Sequence, residues 1–402
     1  MRKITVGSAI ISDRAKALVN QALDSNRISS GKFVSEFEKL FAKYHGVRNA
    51  ISVSTGSDAD TLALVACGGY PTKRESEIII PALTFVSCAN SVLHAGFLPR
   101  FVDIDPITYQ IDPSEIEKAL SSDSSKVKGI MPVHLFGRPA NMDPIKEIAK
   151  KYNLFIVEDA AEAHGAEYKG AKVGTIGDAG AFSFYVAHII TTGEGGAVIT
   201  NNNEYAGILR SLRAHGRACK CEKCVLNIDS SYCPLRFEYG EGIDTRFFFE
   251  RIGYSSKMNE LEAALGIADI EKLDEIINKR RNNLFYLNKE LSKYKNLFQF
   301  FEEMPNERIS PLVYPLVIRP EAPFSRKDIT DFLEKKGIET RPMFGSIPTQ
   351  QPAYKFIGHR EGDFKNSEFI GKNGFYIGTH QGLNQEDLDY ILTVFEDFIK
   401  KH

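Results

Sequence analysis

Three short segments of this chain carry residue types that can do chemistry together. Ser54-Thr-Gly-Ser-Asp-Ala-Asp reads as a strand end, a Gly/Ser turn and the start of a helix. Helix N-termini present unpaired N–H groups and a partial positive charge, so Gly56 and Ser57 sit where a phosphate could be cradled. An ordinary strand-to-helix turn with a Ser cap reads the same way. Val157-Glu-Asp-Ala-Ala-Glu-Ala-His-Gly-Ala delivers Asp159 at the carboxyl end of an apolar run, where open α/β sheets bind ligands. Gly180-Ala-Phe-Ser-Phe-Tyr-Val-Ala-His-Ile-Ile-Thr-Thr-Gly-Glu-Gly-Gly places Ser183 and His188 ahead of a Gly-rich turn. A fourth feature is different in kind: Cys219, Cys221, Cys224 and Cys233 lie close together in a chain of only 6 cysteines. With no export signal such clustering points to metal more than to disulfides, whereas Cys67 and Cys88 sit among apolar neighbours as core residues.

The elements that must position these groups alternate. Apolar runs at Ala50–Ser54, Glu77–Pro81, Pro99–Asp103, Lys128–Val133 and Leu154–Asp159 are separated by helical stretches at Ser57–Cys67, Ser87–Ala95, Pro113–Leu120 and Met142–Tyr152. Continuous apolar strands joined by helical crossovers predict an α/β fold, a mostly parallel sheet with helices on both faces. Runs at Gly180–Tyr185 and Gly196–Thr200 extend it. The stretch 217–246 has no period and holds the cysteines; thirty irregular residues in a compact domain mark a functional or a disordered loop. Asn259–Asn283 then reads as one long helix, and 284–402 as a smaller α+β domain after a large domain over 1–283.

Composition narrows the class. The chain has 402 residues, 43% hydrophobic and 25% charged, with formal net charge −2. That is ordinary globular usage and gives no electrostatic footprint for nucleic acid. No apolar run approaches the roughly 20 residues that span a bilayer. The opening Met1-Arg-Lys-Ile-Thr-Val-Gly-Ser lacks the apolar stretch of a secretory signal, and a cytoplasmic location is the expectation. The basic runs Lys279-Arg-Arg and Lys400-Lys-His are expected to be solvated helix faces.

Taken in order, Glu158-Asp-Ala-Ala-Glu-Ala-His-Gly-Ala, Phe182-Ser-Phe-Tyr and Thr192-Gly-Glu-Gly-Gly resemble the DegT/StrS sugar aminotransferase and dehydratase family of fold-type I pyridoxal phosphate proteins. The likeness runs from Ile28-Ser-Ser-Gly-Lys-Phe-Val to Arg341-Pro and His380. It implies an aspartate-aminotransferase-like fold with a smaller C-terminal α+β domain, a homodimer with each site at the subunit interface, and pyridoxal or pyridoxamine 5′-phosphate as cofactor. By position, Asp159 would pair with the pyridine nitrogen, Gly56, Ser57 and Ser183 would hold the phosphate, and Phe85 would stack on the ring. The family's phosphate ligand from the partner subunit is an Asn after Gly-Tyr; here Gly253-Tyr254 is followed by Ser255.

The decisive departure is His188, where family aminotransferases keep a lysine that bonds the cofactor covalently and shuttles protons. Imidazole cannot form that bond, but it can act as a base. The swap resembles the subgroup of 3-dehydratases that act on nucleotide-linked 4-keto-6-deoxyhexoses in deoxysugar and surface-glycan biosynthesis. Glu162, where family aminotransferases commonly carry Gln, supports this; a surface glutamate is the plain alternative. Two other readings stand beside it: a sugar aminotransferase that tolerates histidine, and a non-catalytic homologue with a regulatory or binding role.

One kind of 3-dehydratase in this family carries an iron–sulfur cluster fed by a reductase, with a Cys-x-Cys opening before a Gly-Tyr segment. Cys219-Lys-Cys221-Glu-Lys-Cys224 and Cys233 match that placement, but the second spacing differs and the expected upstream cysteine is missing. Iron–sulfur, structural zinc and unmetallated thiols all remain open here. His215, in an Arg-x-His-Gly pattern, and Arg341 and His380, in segments that resemble the dehydratase pattern, are further candidates to face the sugar.

Overall fold

The computed structural model describes residues 2–69, 75–229, 231–344 and 347–402. Its centre is a seven-stranded sheet: β1 (Asn49–Val53), β2 (Glu77–Pro81), β3 (Leu98–Val102), β4 (Val127–Ile130), β5 (Phe155–Asp159), β6 (Ala179–Ser183) and β7 (Gly196–Thr200), in the order β1-β7-β6-β5-β4-β2-β3. β7 runs antiparallel between β1 and β6, and the other neighbours pair in parallel. The mostly parallel sheet expected from the apolar runs is therefore present, with one reversed strand that only pairing reveals.

Side chains alternate along β2 and divide two cores: Ile78 and Ile80 join one, Ile79 the other. The second core lies under the helices Pro113–Ser122 and Met142–Tyr152, which contribute Ile116, Leu120, Met142, Ile145 and Ile148. The larger core faces the helices Lys32–His45, Gly56–Gly68 and Val86–His94. Helix Gly56–Gly68 is buried from Ala59 to Ala66 and packs on β6, which fixes its N-terminus beside the end of that strand.

The single long helix expected over Asn259–Asn283 is two. A capping box between Asn259 and Glu262 starts the helix Glu260–Ile270, and a second helix, Leu273–Leu291, follows after Glu271 and Lys272. Lys272 leaves helical geometry at φ −118° and ψ 9°, so the chain turns without Gly or Pro. A continuous apolar stripe cannot show such a break, because both halves bury the same kind of face.

A second sheet, wholly antiparallel, orders Phe298–Phe300, Tyr314–Ile318, Gly374–Ile377 and Thr340–Pro342. The helices Arg326–Lys335 and Gln385–Ile399 accompany it. The boundary expected at 283/284 falls inside the helix Leu273–Leu291. The chain's first residues also run with this second lobe: Ile4 bridges Ile338, and the Val6 N–H meets Glu339 at 2.9 Å. Among the described residues no helix is long and apolar enough to cross a membrane.

Candidate active site

The carboxyl ends of β5 and β6 meet the N-terminus of helix Gly56–Gly68. Asp159 closes β5 with its backbone pinned on both sides: its N–H reaches Pro132 O, and its carbonyl accepts the His134 N–H, each at 2.9 Å. Its Oδ1 accepts the Ala161 N–H at 3.1 Å. Burial pushes this carboxyl up to about 6, with Ala161 and His134 acting the other way. Directly behind it, Glu158 accepts the N–H groups of Gly174, Ile176 and Gly177 and faces His134 Nε2 at 2.9 Å. Because His134 Nδ1 accepts the Ala140 N–H, the ring proton sits on Nε2 and is donated to Glu158.

The strand-to-helix turn expected before Gly56 is present, with one change. The cap is Thr55, whose Oγ1 accepts the Asp58 N–H at 3.0 Å, rather than a serine. This frees the exposed Ser57 hydroxyl at the helix start. A Cβ on Gly56 would lie 2.4 Å from Ser183 Cβ, so only glycine lets the helix end abut Ser183. Ser183 is buried and its Oγ accepts the Tyr185 N–H at 3.3 Å. Phe85 begins the helix Val86–His94 with its ring 57% exposed, 6.3 Å from that of Phe344.

His188 stands on a loop closed at its base by Phe184: its carbonyl accepts the Thr192 N–H, and its N–H meets Gly195 O. Thr191 is held in addition by Asp269 at 3.0 Å. The ring's Nδ1 lies 3.1 Å from Ser183 O, and a carbonyl can only accept. The proton is therefore on Nδ1, and Nε2 is left with a lone pair. Burial holds this imidazole down at about 4, opposed by the Ser183 carbonyl and helped by Arg280. His188 is thus neutral across the physiological range. Glu162 is partly buried, with Oε2 accepting the Phe136 N–H at 2.7 Å. Burial and then the charge of Asp159 lift it to about 7. A neutral imidazole can serve as a base, and a carboxyl poised near neutrality as an acid.

Other expected positions are less convergent. His215 adopts a left-handed φ of 67° with its N–H on Tyr254 O, and its side chain is exposed. Ser255 is exposed and bridges Ala214, while its neighbour Ser256 accepts the Ser54 N–H at 3.1 Å. That segment therefore lies against the phosphate-type turn of its own chain. Arg341 is exposed and paired with Glu339 at 2.6 Å, and His380 is buried with Nε2 3.4 Å from Thr5 Oγ1.

All six cysteines are free. Cys219 and Cys221 approach to 3.8 Å, and the Cys221 thiol is pushed up to about 11 by burial and then by the other three thiols. Among the described residues, however, no three metal-capable side chains form a ligand set. As placed, the four thiols are not gathered around one point.

Some residues near the site were not among those expected from the sequence. Asp60 is buried with Oδ1 unpartnered, and burial plus the charge of Asp159 raise it well above the ordinary range. An acid on the apolar face of Ser57-Asp-Ala-Asp-Thr-Leu-Ala-Leu was the available signal. Phe136, in a left-handed conformation at φ 57°, stacks on Phe344 at 5.8 Å and meets Tyr376. The run Lys279-Arg-Arg, expected to be solvated, buries Arg280 to 1% exposure.

The pattern describing the DegT/DnrJ/EryC1/StrS aminotransferase family matches residues 9–396. The chain belongs to the DegT/DnrJ/EryC1/StrS family. It is 34% identical over 400 residues to GDP-perosamine synthase of Caulobacter vibrioides, covering 99% of this chain and 98% of that one. It is also 34% identical over 406 residues to dTDP-4-dehydro-2,6-dideoxy-D-glucose 3-dehydratase of Saccharopolyspora spinosa, covering 98% and 86%. The solved structure of E. coli GDP-4-keto-6-deoxy-D-mannose-3-dehydratase with bound hydrated PLP superposes with a TM-score of 0.85 at 28% identity, covering 98% and 99%. The DegT/DnrJ/EryC1/StrS family comprises sugar-modifying enzymes that use pyridoxal phosphate, and the fold is that of fold type I. The residues here suit that cofactor: a helix N-terminus that only Gly56 allows against Ser183, an exposed Phe85 ring, and a buried Asp159.

Proposed function

We propose that this protein removes the C3 hydroxyl of a nucleotide-diphospho-4-keto-6-deoxyhexose with pyridoxamine phosphate. One observation carries the reading: position 188 holds an imidazole with its proton on Nδ1 and, among the described residues, no hydrogen-bond partner on Nε2, in the place where the family aminotransferases keep a lysine. When bound, the cofactor supplies an amine for the C4 ketone and a ring that takes up an electron pair. Asp159 would hold the ring nitrogen; Gly56, Ser57 and Ser183 would hold the phosphate. His188 Nε2 accepts a proton. Glu162, whose Oε2 is bound to Phe136, carries a proton on Oε1 and gives it to the departing hydroxyl. One proton taken and one given release a single molecule of water; the two electrons that the deoxy sugar gains would come from the amine form of the cofactor, whose nitrogen would leave as ammonia and which glutamate would restore.

The relatives' names support two outcomes, since one is called a 3-dehydratase and another a perosamine synthase. The test is incubation with a nucleotide-linked 4-keto-6-deoxyhexose, pyridoxal phosphate and glutamate. The expected product is a 3-deoxy sugar, and H188N should lose it. A 4-amino sugar made by the wild type would overturn the reading in favour of an aminotransferase. Failure to bind either cofactor form would favour the non-catalytic reading.

Two parts of the proposal concern partners. The apolar side chains left exposed near the cysteine loop, among them Phe247, Phe249 and Ile252, support a second copy of the chain packing there. The four thiols of that loop support an iron–sulfur centre by donor type alone, with an electron-donating reductase as its implied partner.

A further inference from the structure

Arg280 is the largest departure from expectation in the second half of the chain. It lies on helix Leu273–Leu291, 1% exposed, in a run that looked like a solvated basic face. Burying a guanidinium is costly unless it is paired. Its donors nevertheless go only to neutral oxygens: Nε to Gln381 Oε1 at 2.9 Å, Nη1 to Leu312 O at 2.8 Å and to Pro311 O at 3.5 Å, and Nη2 to His188 O at 3.4 Å. Among the described residues no carboxylate forms an ion pair with it, and burial holds its pKa down at about 9.

The three directions of those bonds matter. Gln381 lies in the turn that follows strand Gly374–Ile377, Leu312 leads into strand Tyr314–Ile318, and His188 belongs to the loop after β6. A single planar fork thus joins the second lobe to the loop that carries the imidazole. The same helix adds Asn283, whose Nδ2 reaches Thr379 O at 3.3 Å and His380 O at 3.0 Å. We propose that Arg280 is a positioning residue for the reaction, holding the His188 loop against the second lobe through its bond to the His188 carbonyl and setting a fixed positive charge beside the imidazole that disfavours a second one there.

The surroundings of His188 leave this role to Arg280. From the helix Leu273–Leu291 comes Arg280, and from the turn after β5 comes His164, which is itself buried and held well below its ordinary range. Tyr185 stands on the same loop with its ring 5.9 Å away, and Asp269 binds the loop's base at Thr191. Of these, Arg280 is the one permanent cation. Its charge also bears on His380, held down at about 4 by burial first and Arg280 second. A lysine would keep the charge but not the fork that meets three segments at once.

The inference rests on His188 being the base, and the test separates the two. Histidine-labelled, cofactor-free protein is titrated by NMR, with the His188 signal assigned through H188N. R280Q should raise the His188 midpoint by about half a pH unit, since burial, the larger cause, remains. R280K should leave the midpoint within about 0.3 units and still lower kcat for dehydration about tenfold, since the link to the His188 loop is loosened. A folded R280Q with an unmoved midpoint overturns the proposal. If R280Q does not fold, R280K decides: a wild-type kcat overturns it, and a reduced kcat with an unmoved midpoint upholds it. If H188N dehydrates as fast as wild type, the base assignment fails, while the titration still reports whether Arg280 sets the charge of that ring.

Discussion

The proton inventory of the site is set by burial more than by charge partners. Asp159, Glu162 and Asp60 are all raised with desolvation as the first cause, and His188 is lowered for the same reason. His188 is a base only above its midpoint near 4, and Glu162 is an acid only below its midpoint near 7. Activity should therefore rise with pH through the first and fall with pH through the second. E162Q cannot donate, so it should lose roughly a hundredfold in kcat. Its residual rate should be flat across the alkaline limb, as measured by initial rates from pH 5 to 9. A limb that persists in E162Q would place the acid elsewhere. His188 and Asp159 were legible in the sequence because they stand in the segments Phe182-Ser-Phe-Tyr-Val-Ala-His and Glu158-Asp-Ala-Ala-Glu. Asp60 and Arg280 were not, since a charge in a helical pattern reads as solvated until packing is known.

At the scale of elements, the site depends on one close approach. Helix Gly56–Gly68 must end against Ser183, and a Cβ at residue 56 would lie 2.4 Å from Ser183 Cβ. Overpacking of this kind costs about 1–3 kcal/mol. Gly56→Ala should therefore weaken cofactor binding about tenfold or more, read from absorbance titration of the cofactor band, while circular dichroism shows the fold retained. Unchanged affinity would mean that the helix end is not the phosphate cradle. The cysteine loop is a second element-scale question. Its ends are tied, Arg217 bridging Phe249 and the Ala218 N–H meeting Phe248 O at 2.9 Å, so the excursion between them can rearrange without moving the sheet. Iron and sulfide found after anaerobic purification, and lost in C219S/C221S, would establish a cluster. Iron-free protein that dehydrates the sugar would exclude one.

For the whole molecule, the exposed apolar side chains are the informative feature. Phe85, Tyr185 and Val186 near the site, and Phe247, Phe249 and Ile252 beyond it, all stay exposed in the single chain. A second copy covering them would also exclude water from the site. Light scattering after size exclusion should give twice the mass of the chain, and I252E with F249E should shift it toward monomer and lower kcat together. A wild-type monomer of full activity would remove the second copy from the account.

The alternation of apolar runs and helical stretches was enough to specify the parallel sheet, because buried strands and amphipathic helices write different periods. It was enough as well for the turn at Gly56 and the carboxylate at Asp159, because glycine conformation and strand ends are local matters. Tertiary structure alone decided the reversal of β7, the division of one long apolar stripe into the helices Glu260–Ile270 and Leu273–Leu291, and the return of Ile4 to the second lobe. It alone showed Arg280 beside the His188 loop and the four cysteines outside a ligand set. Strand direction and helix breaks are settled by what packs opposite, and a contact such as that of Arg280 with the His188 loop, 92 residues apart, leaves no mark on the local pattern of either partner.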